Sequence, residues 1–179
     1  MRMSLQLMSA EDMRRTLGRI AYEVVESNHG SQDLVVVGVL RRGWPLAKRL
    51  AFLVTQLEGA TAPCGKLDIS AYRDDRKQTD GDETEIPFEV TGKNVLLVDE
   101  VIYTGRTARA ALEALTHHGR PARVQLAVLV DRGFRELPIQ PDFVGRRVET
   151  LRSERVEVLF NEYDGEDAVR LVSAAGAAL

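Results

Sequence analysis

The chain has 179 residues, 44% of them hydrophobic, and 24 Lys and Arg stand against 27 Asp and Glu for a formal charge of −3. A chain of this length buries about 70% of its unfolded surface around one core, so a single domain is expected, and its mild acidity excludes attraction of polyanions by net charge alone. Cys64 is the only cysteine, which excludes an internal disulfide or a cysteine-based zinc cluster, and no apolar run nears the ~20 residues of a membrane span, so a cytoplasmic protein is expected.

Ser9 precedes Met13, Leu17, Ile20, Ala21 and Val24, an apolar series at helical spacing with Asp12 three residues after the cap. This predicts a capped amphipathic first helix. Leu34 to Val39 has the composition of a buried strand, and Leu46, Leu50, Leu53, Val54 and Leu57 mark a helix begun by Pro45 in its first turn. Between them lie Arg41 and Arg42, bounded by Gly38 and Gly43. Trp44 and Pro45 replace the Lys-Ser/Thr of a nucleoside-triphosphate loop, so that reading is excluded. Two guanidinium groups at a strand end instead suit a bidentate grip on phosphate oxygens.

Lys66 to Tyr72 reads as another strand, followed by a polar, aperiodic stretch up to Phe88 that is long for a connection inside a compact domain. Val95 to Val98 has the branching of a strand buried on both faces and ends in Asp99 and Glu100. A helix from Arg106 to His118, stopped by Gly119 and Pro121, and a strand from Val124 to Val130 complete the alternation. Strand and helix in turn predict an α/β fold with a mainly parallel central sheet flanked by helices. His117 and His118 point in different directions near a helix end and His29 sits in a turn, so no metal cage is expected.

The run Val95 to Thr107 carries the chemistry. Ionised carboxylates only accept hydrogen bonds, which matches a vicinal diol. Thr104, Gly105, Arg106 and Thr107 then open a helix whose first amides and dipole favour a phosphate. Diol and phosphate are the two ends of a ribose 5-phosphate.

This segment resembles the phosphoribosyl pyrophosphate (PRPP) motif of type I phosphoribosyltransferases. Further stretches, Arg14-Arg15 to Glu23, Leu67 to Asp75, Leu126 to Ile139 and Pro141 to Gly145, are similar to one branch, the PyrR family of pyrimidine-operon attenuators and uracil phosphoribosyltransferases. The resemblance implies the type I fold with a small hood, mainly from about 134–155, and a flexible lid at about 73–87 that carries Arg73. It implies that Arg41, Arg42 and the run Asp99, Glu100, Val101, Ile102, Tyr103, Thr104, Gly105, Arg106 and Thr107 bind PRPP or nucleotide, with Asp99, Glu100 and Arg42 catalytic. Mg2+ would arrive with the pyrophosphate. Asp131, Arg132, Phe143 and Val144 would read the base, and Tyr103, standing where purine-specific relatives carry an acid, favours a pyrimidine.

The implied partners are PRPP, uracil, UMP or UTP and the leader mRNA of pyrimidine genes, in a homodimer or higher homo-oligomer. Arg15, Arg19, Arg135, Arg146 and Arg147 would contact RNA. The chain departs from the family pattern at Gly18, Tyr22, Phe134 and Gln140, where RNA-binding members carry polar or basic groups, and at Glu100, where an aspartate is usual. A nucleotide-sensing RNA-binding protein with negligible catalysis, and a phosphoribosyltransferase for another base, remain the alternatives.

Overall fold

The computed structural model describes residues 3–75 and 81–173. Five strands form a wholly parallel sheet: β2 (Leu34–Val39), β3 (Cys64–Leu67), β4 (Asn94–Ile102), β5 (Arg123–Asp131) and β6 (Phe143–Arg147), in spatial order β3-β2-β4-β5-β6. Successive side chains point to opposite faces, so Leu34, Val36, Leu96, Val98, Ala127 and Leu129 join one apolar cluster while Val35, Val37, Val95, Leu97 and Val128 join the other. Helices α1 (Ala10–Asn28) and α2 (Gly43–Glu58) cover the first face and α3 (Arg106–Thr116) the second. This two-sided cover explains why the strands read as continuous hydrophobic runs.

The first helix starts as its sequence predicts. Ser9 and Asp12 form a reciprocal capping box, and Met13, Leu17, Ile20, Ala21 and Val24 are all buried. The next helix begins with Gly43 pressed against β4, where an added Cβ would collide with the Val98 carbonyl and crowd Asp99 Cα. Only glycine allows that approach.

Three expectations change. The strand expected over Lys66 to Tyr72 stops at Leu67, because the Asp68 carboxylate captures the Ser70 amide (2.9 Å) and hydroxyl (2.6 Å) and winds Ser70–Tyr72 into a 3-10 turn. The strand expected over Val95 to Val98 runs on to Ile102, so the acidic pair lies within it. Pairing with β2 nevertheless ends at Val98 while pairing with β5 continues to Ile102, which leaves Asp99 and Glu100 open on the β2 side. Finally, Phe143–Arg147 is an edge strand of the main sheet rather than hood. A second, antiparallel sheet is built instead by β1 (Met3–Met8), β7 (Glu154–Leu159) and β8 (Ala168–Ser173), in the order β1-β8-β7, with a short helix α4 (Asn161–Asp164) between the last two strands.

Candidate active site

Two clefts open at the carboxyl end of β4, the usual ligand edge of a parallel sheet. The larger, about 570 Å³, lies between the turn after β2 (Arg41, Arg42), the turn after β3 (Asp68, Ser70, Arg73) and the acidic pair. The smaller, about 390 Å³, is walled by Tyr103, Thr104, Gly105, Arg106 and Thr107 on one side and Leu126 and Val128 on the other. Arg73, Asp99, Val101 and Thr107 line both. The residues proposed for diol, phosphate and pyrophosphate therefore face one continuous depression, although they come from two separate strand ends, those of β4 and β2.

Asp99 is buried at the floor and its Oδ1 accepts from the Glu100 amide at 2.9 Å. Burial pushes its carboxyl well above the ordinary carboxylate range, and the neighbouring charge of Glu100 adds to the effect. The sequence reading treats both acids as ionised; the buried one is instead biased toward its protonated form. Beyond it, Gly105 (φ 92°) turns the chain into α3. That left-handed conformation suits glycine, and the first amides of the helix lack intrahelical acceptors. Thr104 fixes the turn, its carbonyl accepting from the amides of Glu136 (2.9 Å) and Leu137 (3.2 Å).

Each arginine around the clefts already meets a carboxylate. Arg41 pairs with Glu83 at 2.6 Å, Arg42 with Asp164 at 2.5 Å, Arg73 with Asp75 at 2.7 Å, and Arg106 with both Asp74 (2.8 Å) and Glu136 (2.9 Å). Of the expected lid, residues 76–80 lie outside the described residues. Its described arms are laced at their base: Asp68 accepts from the Glu83 amide (3.1 Å), Thr84 receives the Asp68 amide (3.0 Å), and Lys66 and Glu85 exchange two backbone bonds of 2.9 Å. Asp68 and Ser70 line the larger cleft and lie outside the set of site residues expected from the sequence. The Asp-x-Ser spacing, which favours a local turn, was the available signal.

The expected base-reading set is not brought into these clefts. Phe143 is buried in the apolar cluster beneath α1, packing with Ala127 and Leu129, and Val144 packs toward the opposite face. Asp131 holds the Gly133 amide (2.9 Å) and Arg135 (2.8 Å). Arg132 donates to Thr150 Oγ1 (3.3 Å) and to the Leu151 (3.2 Å) and Glu154 (2.8 Å) carbonyls, and lies 4.0 Å from the Tyr103 ring centroid. The aromatic face beside the cleft thus belongs to Tyr103, which Phe134 meets edge-on at 5.5 Å.

The expected RNA contacts also divide. Arg135 is turned inward, bonded to Asp131, to the Tyr103 carbonyl (2.8 Å) and to the Ile139 carbonyl (2.9 Å), so it is a structural cation and not a surface one. Arg15 pairs with Glu11 (2.9 Å), as the i, i+4 spacing predicts. Arg19 pairs with Glu23 (2.8 Å) and donates to the Gly145 carbonyl (2.6 Å), which joins α1 to β6, and the exposed Arg146 donates to the Leu7 carbonyl. Arg15, Arg19, Arg146 and Arg147 remain on the surface.

A parallel sheet with helices on both faces, an acidic pair in the carboxyl half of its central strand and a Thr-Gly-Arg-Thr turn entering a helix define a phosphoribosyltransferase, and the chain matches the family model for the phosphoribosyl transferase domain over residues 4–160. Solved structures share the fold, including hypoxanthine phosphoribosyltransferases from Trypanosoma cruzi (TM-score 0.72, 18% identity, 93% of this chain and 94% of that one) and Staphylococcus aureus (TM-score 0.65, 18% identity, 80% and 77%). Sequence similarity is far higher to Bifunctional protein PyrR of Thermus thermophilus, 55% identical over 99% of this chain and all of the relative, and of Chloroflexus aurantiacus, 53% identical over 92% of each. The chain belongs to the PyrR family of phosphoribosyltransferases.

Proposed function

We propose that the protein is a uracil phosphoribosyltransferase, making UMP and pyrophosphate from uracil and PRPP, and that it also regulates pyrimidine gene expression by uridine-nucleotide-dependent binding to leader mRNA. The carrying observation is the convergence of Asp99 and Glu100, the Thr104 to Thr107 turn and Arg41 and Arg42 on one depression. Their chemistry matches a diol, a 5-phosphate and a pyrophosphate in that order.

Uracil N1 displaces pyrophosphate from C1 of the ribose. Positive charge grows on the sugar ring and negative charge on the leaving group. Glu100 and Asp99 orient the hydroxyls below the ring, and Asp99, biased toward its protonated form, can donate as well as accept. Arg41 and Arg42 stabilise the departing pyrophosphate through charge-assisted bonds in a preformed site. Tyr103 offers the base a ring face beside the cleft. Magnesium would be carried in by the pyrophosphate, and Glu100 and Asp68, both lining the larger cleft, would be the carboxylates that hold it there. The chemistry supplied there would be neutralisation of charge on the leaving group.

The regulatory half of the proposal rests on family membership and on the surface cations Arg15, Arg19 and Arg146, which contact phosphates without choosing sequence. Incubation with PRPP, magnesium chloride and labelled uracil is expected to yield UMP; no UMP would remove the enzyme and leave the nucleotide-sensing reading. Leader stem-loops should bind more tightly with UMP than without it. Equal binding of scrambled RNA would remove the regulator.

A further inference from the structure

Arg42 and Arg49 stand about two turns apart at the start of α2, and both reach the connector between β7 and β8. Arg49 bonds Glu162 at 2.7 Å and both oxygens of Asp167 at 2.9 and 3.0 Å, and its guanidinium lies 5.4 Å from the Phe160 ring centroid. Asp167 also accepts from the Asn161 amide at 2.9 Å, and Asp164 accepts from the Phe160 amide at 2.8 Å. These bonds make α4 a fixed post. The Asp164 carboxylate is therefore a fixed acceptor rather than a wandering surface charge.

An arginine carries five N–H donors, which form an end fork and a side fork. In Arg42 the end fork is taken by Asp164, with Nη1 donating to Oδ2 at 2.5 Å and Nη2 to Oδ1 at 3.1 Å, while the second Nη1 hydrogen goes to the Val158 carbonyl at 3.0 Å. The side fork consists of Nε–H and the outer hydrogen of Nη2, which point the same way. Among the described residues it has no acceptor, and Arg42 lines the larger cleft.

We infer that Asp164 is a positioning residue for the pyrophosphate end of the cleft: it occupies one fork of Arg42 and thereby holds the other ready for a phosphate oxygen pair. The inference rests on the PRPP reading of that cleft. A long side chain is ordered during folding instead of at binding, so less ordering is lost when the ligand arrives. The opposing effect is repulsion, since a carboxylate so close to a polyanion lowers the net attraction. Asparagine separates the two, because it keeps an acceptor oxygen and removes the charge.

Wild type, Asp164→Ala and Asp164→Asn would be titrated calorimetrically with inorganic pyrophosphate in magnesium chloride, alongside KM for PRPP, kcat and thermal midpoints. Alanine is expected to weaken pyrophosphate binding and to raise KM for PRPP by about tenfold, with kcat changed less, and asparagine to recover most of the loss. If alanine binds pyrophosphate as tightly as wild type or more tightly, the positioning role is overturned. Equal weakening in both variants with a matching fall in thermal midpoint would overturn it in favour of a purely structural contact. A wild type that binds no pyrophosphate would overturn the reading of the cleft as well, whereas wild-type binding with unaffected variants removes only Asp164.

Discussion

Asp99 sits in an environment that opposes its own charge. Its folded pKa lies above the unfolded value of 3.8 because of burial first and Glu100 second. The sign follows directly: the protonated form is favoured on folding, so the contribution to stability is complete below the unfolded pKa and is lost as pH rises through the folded one. Asp99→Asn keeps an oxygen to accept the Glu100 amide and removes the titration. The variant should be more stable than wild type by about 1 kcal/mol at neutral pH, with the gap in thermal midpoint widening as pH rises from the unfolded value of 3.8 toward the folded pKa, while transfer to uracil falls by roughly two orders of magnitude. A gap that narrows with rising pH would contradict the assignment. At this scale Asp99, Glu100 and Thr107 were legible from residue type and order. Asp164 was not, because it acts on Arg42 from the far end of the chain, and Asp68 carried only a local turn signal that does not by itself place it in the cleft.

Among the elements, α2 is seated against the acidic strand through one missing side chain. Gly43 lets the helix begin against the Val98 carbonyl, directly before the acidic pair. In Gly43→Ala the added methyl meets backbone, which cannot swing aside as a side chain can, so the start of α2 must shift. A loss of about 2–3 kcal/mol in urea unfolding is expected, together with a raised KM for PRPP. Unchanged unfolding would show that the contact is looser than described. Helical and strand elements were readable because their apolar residues recur at the right periods and Ser9 and Asp12 mark a start. The bounds of β3 and β4 were not. Asp68 turns the chain early in one case, and cross-strand pairing with β5 carries it further in the other.

The molecule as a whole consists of a parallel sheet and a smaller antiparallel one, and Arg49 helps to hold them together. Its pairs with Glu162 and Asp167 are half-buried and join α2 to the β7–β8 connector. Arg49→Ala should cost about 1–3 kcal/mol, between the worth of a surface pair and the penalty for breaking a buried one. Amide exchange in β7 and β8 should accelerate while β2 and β4 stay protected. Uniform acceleration across both sheets would mean that the two unfold as one unit.

Local order and composition were enough to determine the alternation of strands and helices, the buried character of the central strands and the chemistry of the run from Val95 to Thr107, because each depends on near neighbours along the chain. Only tertiary structure decided which basic and aromatic groups are available. It turned Arg135 inward to Asp131, placed Phe143 in the core and Tyr103 at the cleft, and gave Arg42 a carboxylate from the far end of the chain. The physical reason is that an arginine or an aromatic ring is equally at home in a core, an ion pair or a ligand site. Its role is fixed by whichever partner the fold brings within a few ångströms.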